Sequence, residues 1–270
     1  MDSLIVVPAR FESSRFPGKP LAEINSISMI RRPADIAARA CKDLNESAYV
    51  VATDHEEILS HCRYHKIPAI MTSPELASGS DRAREACRSF APNAQVIVNL
   101  QGDAPFTDVS HITNCVKAMT NGIDVATPYV QLSWEALDIL RENKKTTPFS
   151  GTTLIHNASG RALWFSKTII LSMKHEPKLR LAGPTSPICR HIGLYVYTAD
   201  ALERFTALPR SNYETLEDLE QLRMIEADFH IKAVSVQPAK ISTSGIDSPE
   251  DLTRANEMLQ LLGDPFKGAV

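Results

Sequence analysis

The chain has 270 residues, 43% of them hydrophobic, enough to bury a sizeable core as one large domain or a domain with a substantial insert. Its formal charge of -3 lacks the basic excess of a duplex-nucleic-acid binder, although a locally basic pocket is compatible with it. Five cysteines, an odd count with no CxxC, argue against a disulfide framework and read as reduced, mostly buried thiols.

The chain goes straight into a short apolar strand, Leu4 to Val7, without a signal pattern, and no apolar run approaches the roughly 20 residues of a membrane span. A soluble, cytoplasmic protein is expected. A polar loop runs to Lys19, and Met29 to Cys41 reads as a helix with Pro33 in its first turn. Ala48 to Ala52 is a second strand, and Asp54 is placed to cap a helix from Glu56 to His65. Pro68 to Met71, a helix from Asp81 to Phe90 and the strand Gln95 to Leu100 follow. Strict alternation of strand and helix predicts an α/β fold: a mostly parallel sheet, helices on both faces and right-handed crossovers. In such sheets ligands bind beyond the carboxyl ends of the strands.

Beyond Asp124 the pattern loosens. Strands are expected at Asp124 to Val130, Gly151 to His156, Ala162 to Phe165, Arg190 to Tyr197 and His230 to Val236. Amphipathic helices are expected at Thr215 to Phe229, with Leu216, Leu219, Leu222 and Ile225 in the core, and at Pro249 to Leu262. Ser166 to Ile188 reads as a flexible surface loop.

The first loop, Pro8 to Leu21, places the cations Arg10, Arg15 and Lys19 at intervals of five and four after a strand terminus. Ser13, Ser14 and Gly18 let main-chain N–H groups approach an anion, and arginine forks match phosphate oxygens. By residue type alone this is equally a basic surface turn, and it lacks Walker spacing. Asp103, in Gln101-Gly102-Asp103 after a strand, is either a carboxylate suited to Mg²⁺ or an ordinary aspartate in a turn after Gly. Asp247, in Gly245-Ile246-Asp247-Ser248-Pro249, is either a second carboxylate for that metal or a helix cap. Only their meeting in space would make them a site. His191, beside Arg190, is the histidine singled out for a functional role, the other reading being a hydrogen-bonded structural histidine of a strand.

These segments together resemble the bacterial CMP-Kdo synthetases, the 3-deoxy-manno-octulosonate cytidylyltransferases, from about residue 3 to 260. The motifs are residues 8–21, Val-Ala-Thr-Asp at 51–54, Ser-Gly-Ser-Asp-Arg at 78–82 and Asn-Leu-Gln-Gly-Asp at 99–103. Arg-His-Ile-Gly-Leu-Tyr at 190–195, Leu-Glu-Gln-Leu-Arg at 219–223 and Gly-Ile-Asp-Ser-Pro-Glu-Asp-Leu at 245–252 complete them, in the family's order. The resemblance implies attack of an acidic sugar's anomeric hydroxyl on the α-phosphate of CTP, with loss of pyrophosphate. It implies that Arg10, Ser13, Arg15 and Lys19 grip the triphosphate and that Ser78 and Arg82 help build the nucleotide pocket. Asp103 and Asp247 would hold Mg²⁺, while Gln101, Arg190, His191, Tyr195, Glu220 and Gln221 would line the sugar site. It further implies one cytidylyltransferase domain, with a nucleotide-binding portion at about 1–125 and 190–262 and a smaller mixed lobe drawn mainly from 126–210. A homodimer formed through that lobe and a role in lipopolysaccharide or capsule assembly are also implied.

The chain departs from the family pattern at several points. Asn25-Ser26-Ile27-Ser28 stands for Asn-Gly-Lys-Pro, and Ala104 replaces a glutamate. Thr153 replaces a lysine, and Lys167 an arginine, on the sugar side. Altered sugar recognition, for instance of 8-amino-Kdo, is one expectation and unchanged Kdo specificity the other. The alternatives are a non-catalytic nucleotide-binding paralogue and a nucleotidyltransferase for a different acidic sugar or a sugar phosphate.

Overall fold

A computed structural model describes residues 2–12, 16–241 and 245–270. Its first half alternates β1 (Ser3–Ala9), a short hairpin of β2 (Glu23–Ile24) and β3 (Ile27–Ser28), α1 (Arg31–Asp43), β4 (Ser47–Thr53), α2 (Glu56–Tyr64), β5 (Ala69–Met71), α3 (Gly79–Phe90) and β6 (Val96–Leu100). After α4 (Val109–Lys117) come β7 (Val125–Ser133), α5 (Trp134–Thr146), β8 (Thr153–His156), β9 (Ala162–Ser166), α6 (Glu176–Ala182), β10 (Thr185–His191) and β11 (Leu194–Thr198). The chain continues through α7 (Ala199–Ala207), α8 (Asn212–Glu217), α9 (Glu220–Glu226), β12 (Ile231–Ser235) and α10 (Pro249–Leu262).

Ten strands form one sheet in the order β5-β4-β1-β6-β11-β7-β10-β8-β9, with β12 pairing to β7. The first four are parallel, as the alternation predicts. From β6 to β11 the pairing turns antiparallel and stays so to β9, while β12 runs parallel to β7. Side-chain alternation along β1 shows how both faces are covered. Leu4 and Val6 point into a cluster with Ala83 and Ala86 of α3, Phe205 of α7 and Leu222 of α9. Ile5, Val7 and Ala9 point the other way, onto Ala34 and Ala37 of α1, Ile58 of α2 and Ile112 of α4. The five cysteines are unpaired, and burial pushes the Cys62 and Cys115 thiols up to about 12. Among the described residues no helix is long and apolar enough to cross a membrane.

Four expectations are corrected. The run Ser166 to Ile188 is not a free loop: it contains α6 and the start of β10. Arg141 grips Glu176 at 2.8 Å through each of two nitrogens, Arg180 stacks over Trp134, and the Trp134 indole donates to the Gly183 carbonyl at 2.9 Å. Second, Thr215 to Phe229 is not one helix. Asp218 adopts a left-handed conformation (φ 50°) between α8 and α9, which an aspartate tolerates better than most residues. Third, Leu216, expected in the core, is 72% exposed. Finally, His55, not Asp54, caps α2, its Nδ1 accepting the Glu57 N–H.

Candidate active site

The ends of β1, β4 and β6 open onto a cleft of about 960 Å³, lined by Arg10, Lys19, His55, Gly79, Gln101 and Asp103 among others. Arg10 leaves β1 with its side chain exposed. The next amide, of Phe11, donates to Asp54 Oδ1 at 3.0 Å, and the Phe11 ring stacks on His55 with centroids 3.7 Å apart. Gly18, left-handed at φ 68°, closes the loop by donating its N–H to the Phe11 carbonyl at 3.0 Å. Lys19 is thereby returned to the strand end. Ser13 and Arg15 lie outside the described residues.

Lys19 is where the distant parts of the chain meet. Its Nζ donates to Asp103 Oδ2 at 2.9 Å and to Asp247 Oδ1 at 3.1 Å. Burial alone would lower the ammonium, but the two carboxylates outweigh it and hold Lys19 above the ordinary lysine value. Asp103 is placed by Gly102, where a Cβ would lie 2.4 Å from the Pro8 carbonyl oxygen, so only glycine lets the turn press against β1. Asp247 is brought in by the Ile246 N–H, which donates to the Asp103 carbonyl at 3.0 Å. Ser248 caps α10 in a capping box with Asp251, so the cap reading of this segment belongs to Ser248 while Asp247 faces Lys19. Among the described residues, no group of three His, Cys, Asp or Glu side chains gathers as a metal site.

Ser78 and Arg82 do not line the cleft but brace the loops beside it. Ser78 is the α3 cap: its Oγ accepts the Asp81 N–H at 3.1 Å and donates to Asp81 Oδ2 at 2.8 Å. Arg82 is fully buried. It donates to Asp54 Oδ2 at 2.8 Å and to the Thr72 hydroxyl, clamping the loops after β4 and β5 together. Asp54 thus joins Arg82 to the backbone of the first loop at Phe11, a role that its place before a helix did not suggest. Burial lowers Arg82, with Asp54 opposing and Arg10 reinforcing the shift.

On the far side of β6 a second polar cluster forms. His191, at the end of β10, shares a 2.7 Å hydrogen bond with the Thr127 hydroxyl and meets the Phe165 ring edge-on; burial pushes it down to about 3. The Tyr195 hydroxyl of β11 donates to Gln221 Oε1 of α9 at 2.8 Å. Glu220, first residue of α9, accepts from the Ser80 hydroxyl at 2.9 Å and is raised by burial. Arg190 pairs in register with Thr153, and its side chain, lowered by burial, makes no hydrogen bond or salt bridge among the described residues. Two of the departures noted in the sequence, Thr153 and Lys167, can now be placed. Thr153 donates to the Thr168 carbonyl at 2.8 Å and accepts from Ile170 N at 3.2 Å, so its hydroxyl is tied to the backbone. Lys167 Nζ lies 3.9 Å from the exposed Asp218.

A family model described as cytidylyltransferase matches residues 4–233. The chain belongs to the cytidylyltransferase family. Among curated relatives, 3-deoxy-manno-octulosonate cytidylyltransferase of Maricaulis maris is 34% identical over 98% of this chain and 99% of its own length. The protein of the same name from Anaeromyxobacter dehalogenans is 38% identical, over 94% and 96%. A solved CMP:2-keto-3-deoxy-manno-octonic acid synthetase complexed with CTP aligns with a TM-score of 0.80 at 28% identity, covering 97% of this chain and 99% of that one. A cytidylyltransferase from Leptospira borgpetersenii, 15% identical with a TM-score of 0.57, covers 97% of this chain and 87% of its own and shares the cytidylyltransferase fold.

Proposed function

We propose that this chain transfers CMP from CTP to the anomeric hydroxyl of Kdo or a closely related 3-deoxy-2-ulosonic acid, releasing pyrophosphate. The observation that carries the proposal is the convergence of Asp103 and Asp247 on Lys19 in the strand-end cleft of a cytidylyltransferase. Arg10, Ser13, Arg15 and Lys19 would hold the triphosphate by charge and forked donors. Ser78 and Arg82 would fix the nucleotide wall, and Gln101, Arg190, His191, Tyr195, Glu220 and Gln221 would line the acceptor site. The reaction needs the two substrates aligned and the phosphate charge neutralised, not a covalent enzyme intermediate.

Asp103 and Asp247 fit Mg²⁺, which takes one or two carboxylates and completes its shell with phosphate oxygens and water. Bound there, the ion would polarise the α-phosphate and offset charge on the departing pyrophosphate. Lys19, already cationic between the carboxylates, would contribute its charge to the β- and γ-phosphates.

The lobe drawn from about 126–210 would form a homodimer interface. In support, Ile139, Phe149, Leu163, Leu171, Leu179 and Leu181 all expose at least 41% of their surface there.

The test is pyrophosphate release with CTP, Mg²⁺ and a panel of acceptors that includes Kdo, 8-amino-Kdo, a sialic-type acid and a sugar phosphate. Turnover of a 3-deoxy-2-ulosonic acid is expected. CTP binding with no turnover of any acceptor would overturn the proposal in favour of a non-catalytic paralogue. Asp103→Asn is expected to abolish turnover and leave the melting temperature nearly unchanged; a fully active variant would remove the metal assignment.

A further inference from the structure

Ser80 is the second residue of α3 and is 1% exposed. The residue before it, Gly79, lies on the floor of the nucleotide cleft, where a Cβ would stand 3.4 Å from the Pro8 ring and 3.6 Å from the Gln101 side-chain oxygen. Ser80 itself points away from that floor. A serine hydroxyl has one proton to give and two lone pairs. Here the proton goes to Glu220 Oε2 at 2.9 Å, and a lone pair accepts from Asn99 Nδ2 at 3.4 Å. Asn99 is itself 1% exposed and stands on β6, two residues before Gln101. One buried hydroxyl therefore joins the helix that floors the nucleotide cleft, the strand that delivers Gln101 and Asp103, and the first residue of α9.

Of the donors around Glu220, Ser80 makes the hydrogen bond of good geometry, at 2.9 Å. Arg223 on α9 is committed to Glu214 on α8, at 2.8 and 2.7 Å. Ser78 donates to Asp81 Oδ2 at 2.8 Å and also lies near enough to the Glu220 carboxylate to lower it, by less than Ser80 does. Tyr195 on β11 donates to Gln221, while the buried Tyr197 hydroxyl, close to both Ser80 and Glu220, makes no hydrogen bond of good geometry among the described residues. The break at Asp218 is what sets Glu220 at a helix start facing α3 rather than part-way along a continuous helix.

We propose that Ser80 is a positioning residue: its hydroxyl holds the Glu220 carboxylate in the acceptor wall and ties that wall to the nucleotide-binding helix. This rests on the cytidylyltransfer reading, in which Glu220 contacts the sugar. Ser80 touches neither substrate. It acts through Glu220, because a charge-assisted hydrogen bond fixes the direction in which a carboxylate presents its second oxygen.

The experiment is steady-state kinetics with CTP, Mg²⁺ and Kdo on the full chain. Removing the hydroxyl in Ser80→Ala is expected to raise KM for Kdo ~10-fold while KM for CTP stays within about two-fold. Ser80→Thr, which keeps the hydroxyl, is expected to restore the sugar KM. In a Glu220→Gln background, Ser80→Ala is expected to change the sugar KM less than about two-fold, since the carboxylate on which it acts is gone. Equal loss in both backgrounds, a rise in the CTP KM to match the sugar KM, or no change at all would overturn the assignment. The wild type reports separately on the parent reading. If it is inactive on every acceptor, that reading fails and this one with it; if it is active and Ser80→Ala is unaltered, this assignment alone fails.

Discussion

Gly102 has no room for a side chain, because the Pro8 carbonyl stands 2.4 Å from where a Cβ would be. Gly102→Ala must therefore shift backbone on one side of the contact, and Asp103 is the next residue along. Displacement of about 1 Å at a reacting centre lowers rates on the order of 10²-fold, so kcat/KM should fall by about that factor. Comparing that loss with the melting curve checks the claim, since a variant that melts normally yet turns over slowly locates the damage in the turn. A glycine before an aspartate was readable as a turn, but not as a contact with β1. Lys19, Asp103 and Asp247 were each visible as charged residues beyond a strand or before a helix. Their meeting was not, because Asp103 lies 84 residues and Asp247 228 residues from Lys19. Asp54 was misread for a physical reason. An aspartate before a helix usually caps it, but the buried Arg82 guanidinium and the Phe11 amide claim this one instead.

The β2–β3 hairpin turns on Asn25 and Ser26, both left-handed, at φ 50° and 60°. Two positive-φ residues are what a type I′ turn requires; asparagine suits the first place, whereas serine in the second carries a steric penalty that glycine avoids. Ser26→Gly is expected to stabilise the fold by about 0.5–1 kcal/mol, which corresponds to a rise of about 2 °C in melting temperature by calorimetry. A lower melting temperature would mean that the Ser26 side chain contributes more than its conformation costs. The strands and helices of the parallel half were legible because each strand is apolar and ends at a loop. The hairpin and α4, α5 and α7 were not anticipated. For α4, Val109, Ile112, Thr113 and Val116 argue locally for a strand, and burial against α1 and the sheet overrides them. For α5 the Ser133 cap, the acidic first turn and the lysines of the last turn were present to be read. The apolar period over Thr215 to Phe229 correctly showed helix, but nothing in it marked the left-handed break at Asp218, on which the placement of Glu220 depends.

Across the whole molecule, residues beyond α10 fold back over α1. Arg32 is 1% exposed, and its two terminal nitrogens each meet Asp264 at 2.8 Å. Phe266 lies under the guanidinium groups of Arg31 and Arg32, and the Ala269 amide donates to Asp35 Oδ1 at 2.6 Å. Asp264→Ala would leave a buried guanidinium without its carboxylate, so unfolding by urea should show a loss of about 3 kcal/mol. The KM for CTP should change little, because this contact lies outside the cleft. A drop of less than about 1 kcal/mol would show that water replaces the carboxylate without penalty. Sequence patterning did not point to this clasp, since a Gly-Asp-Pro-Phe tail has neither helix nor strand period. The crossing from parallel to antiparallel pairing at β6 and β11 has one more consequence. Asn99 and Tyr195 are paired residues on adjacent, hydrogen-bonded strands, whose spacing is fixed at about 4.8 Å. On the cytidylyltransfer reading, the strand that leads into the nucleotide cleft and the strand that carries the acceptor wall would therefore be neighbouring rails of a single ladder. Their separation would then act as a ruler cut into the strand order, and an acceptor of different length would be met by changing side chains, because hydrogen-bonded strands do not move apart.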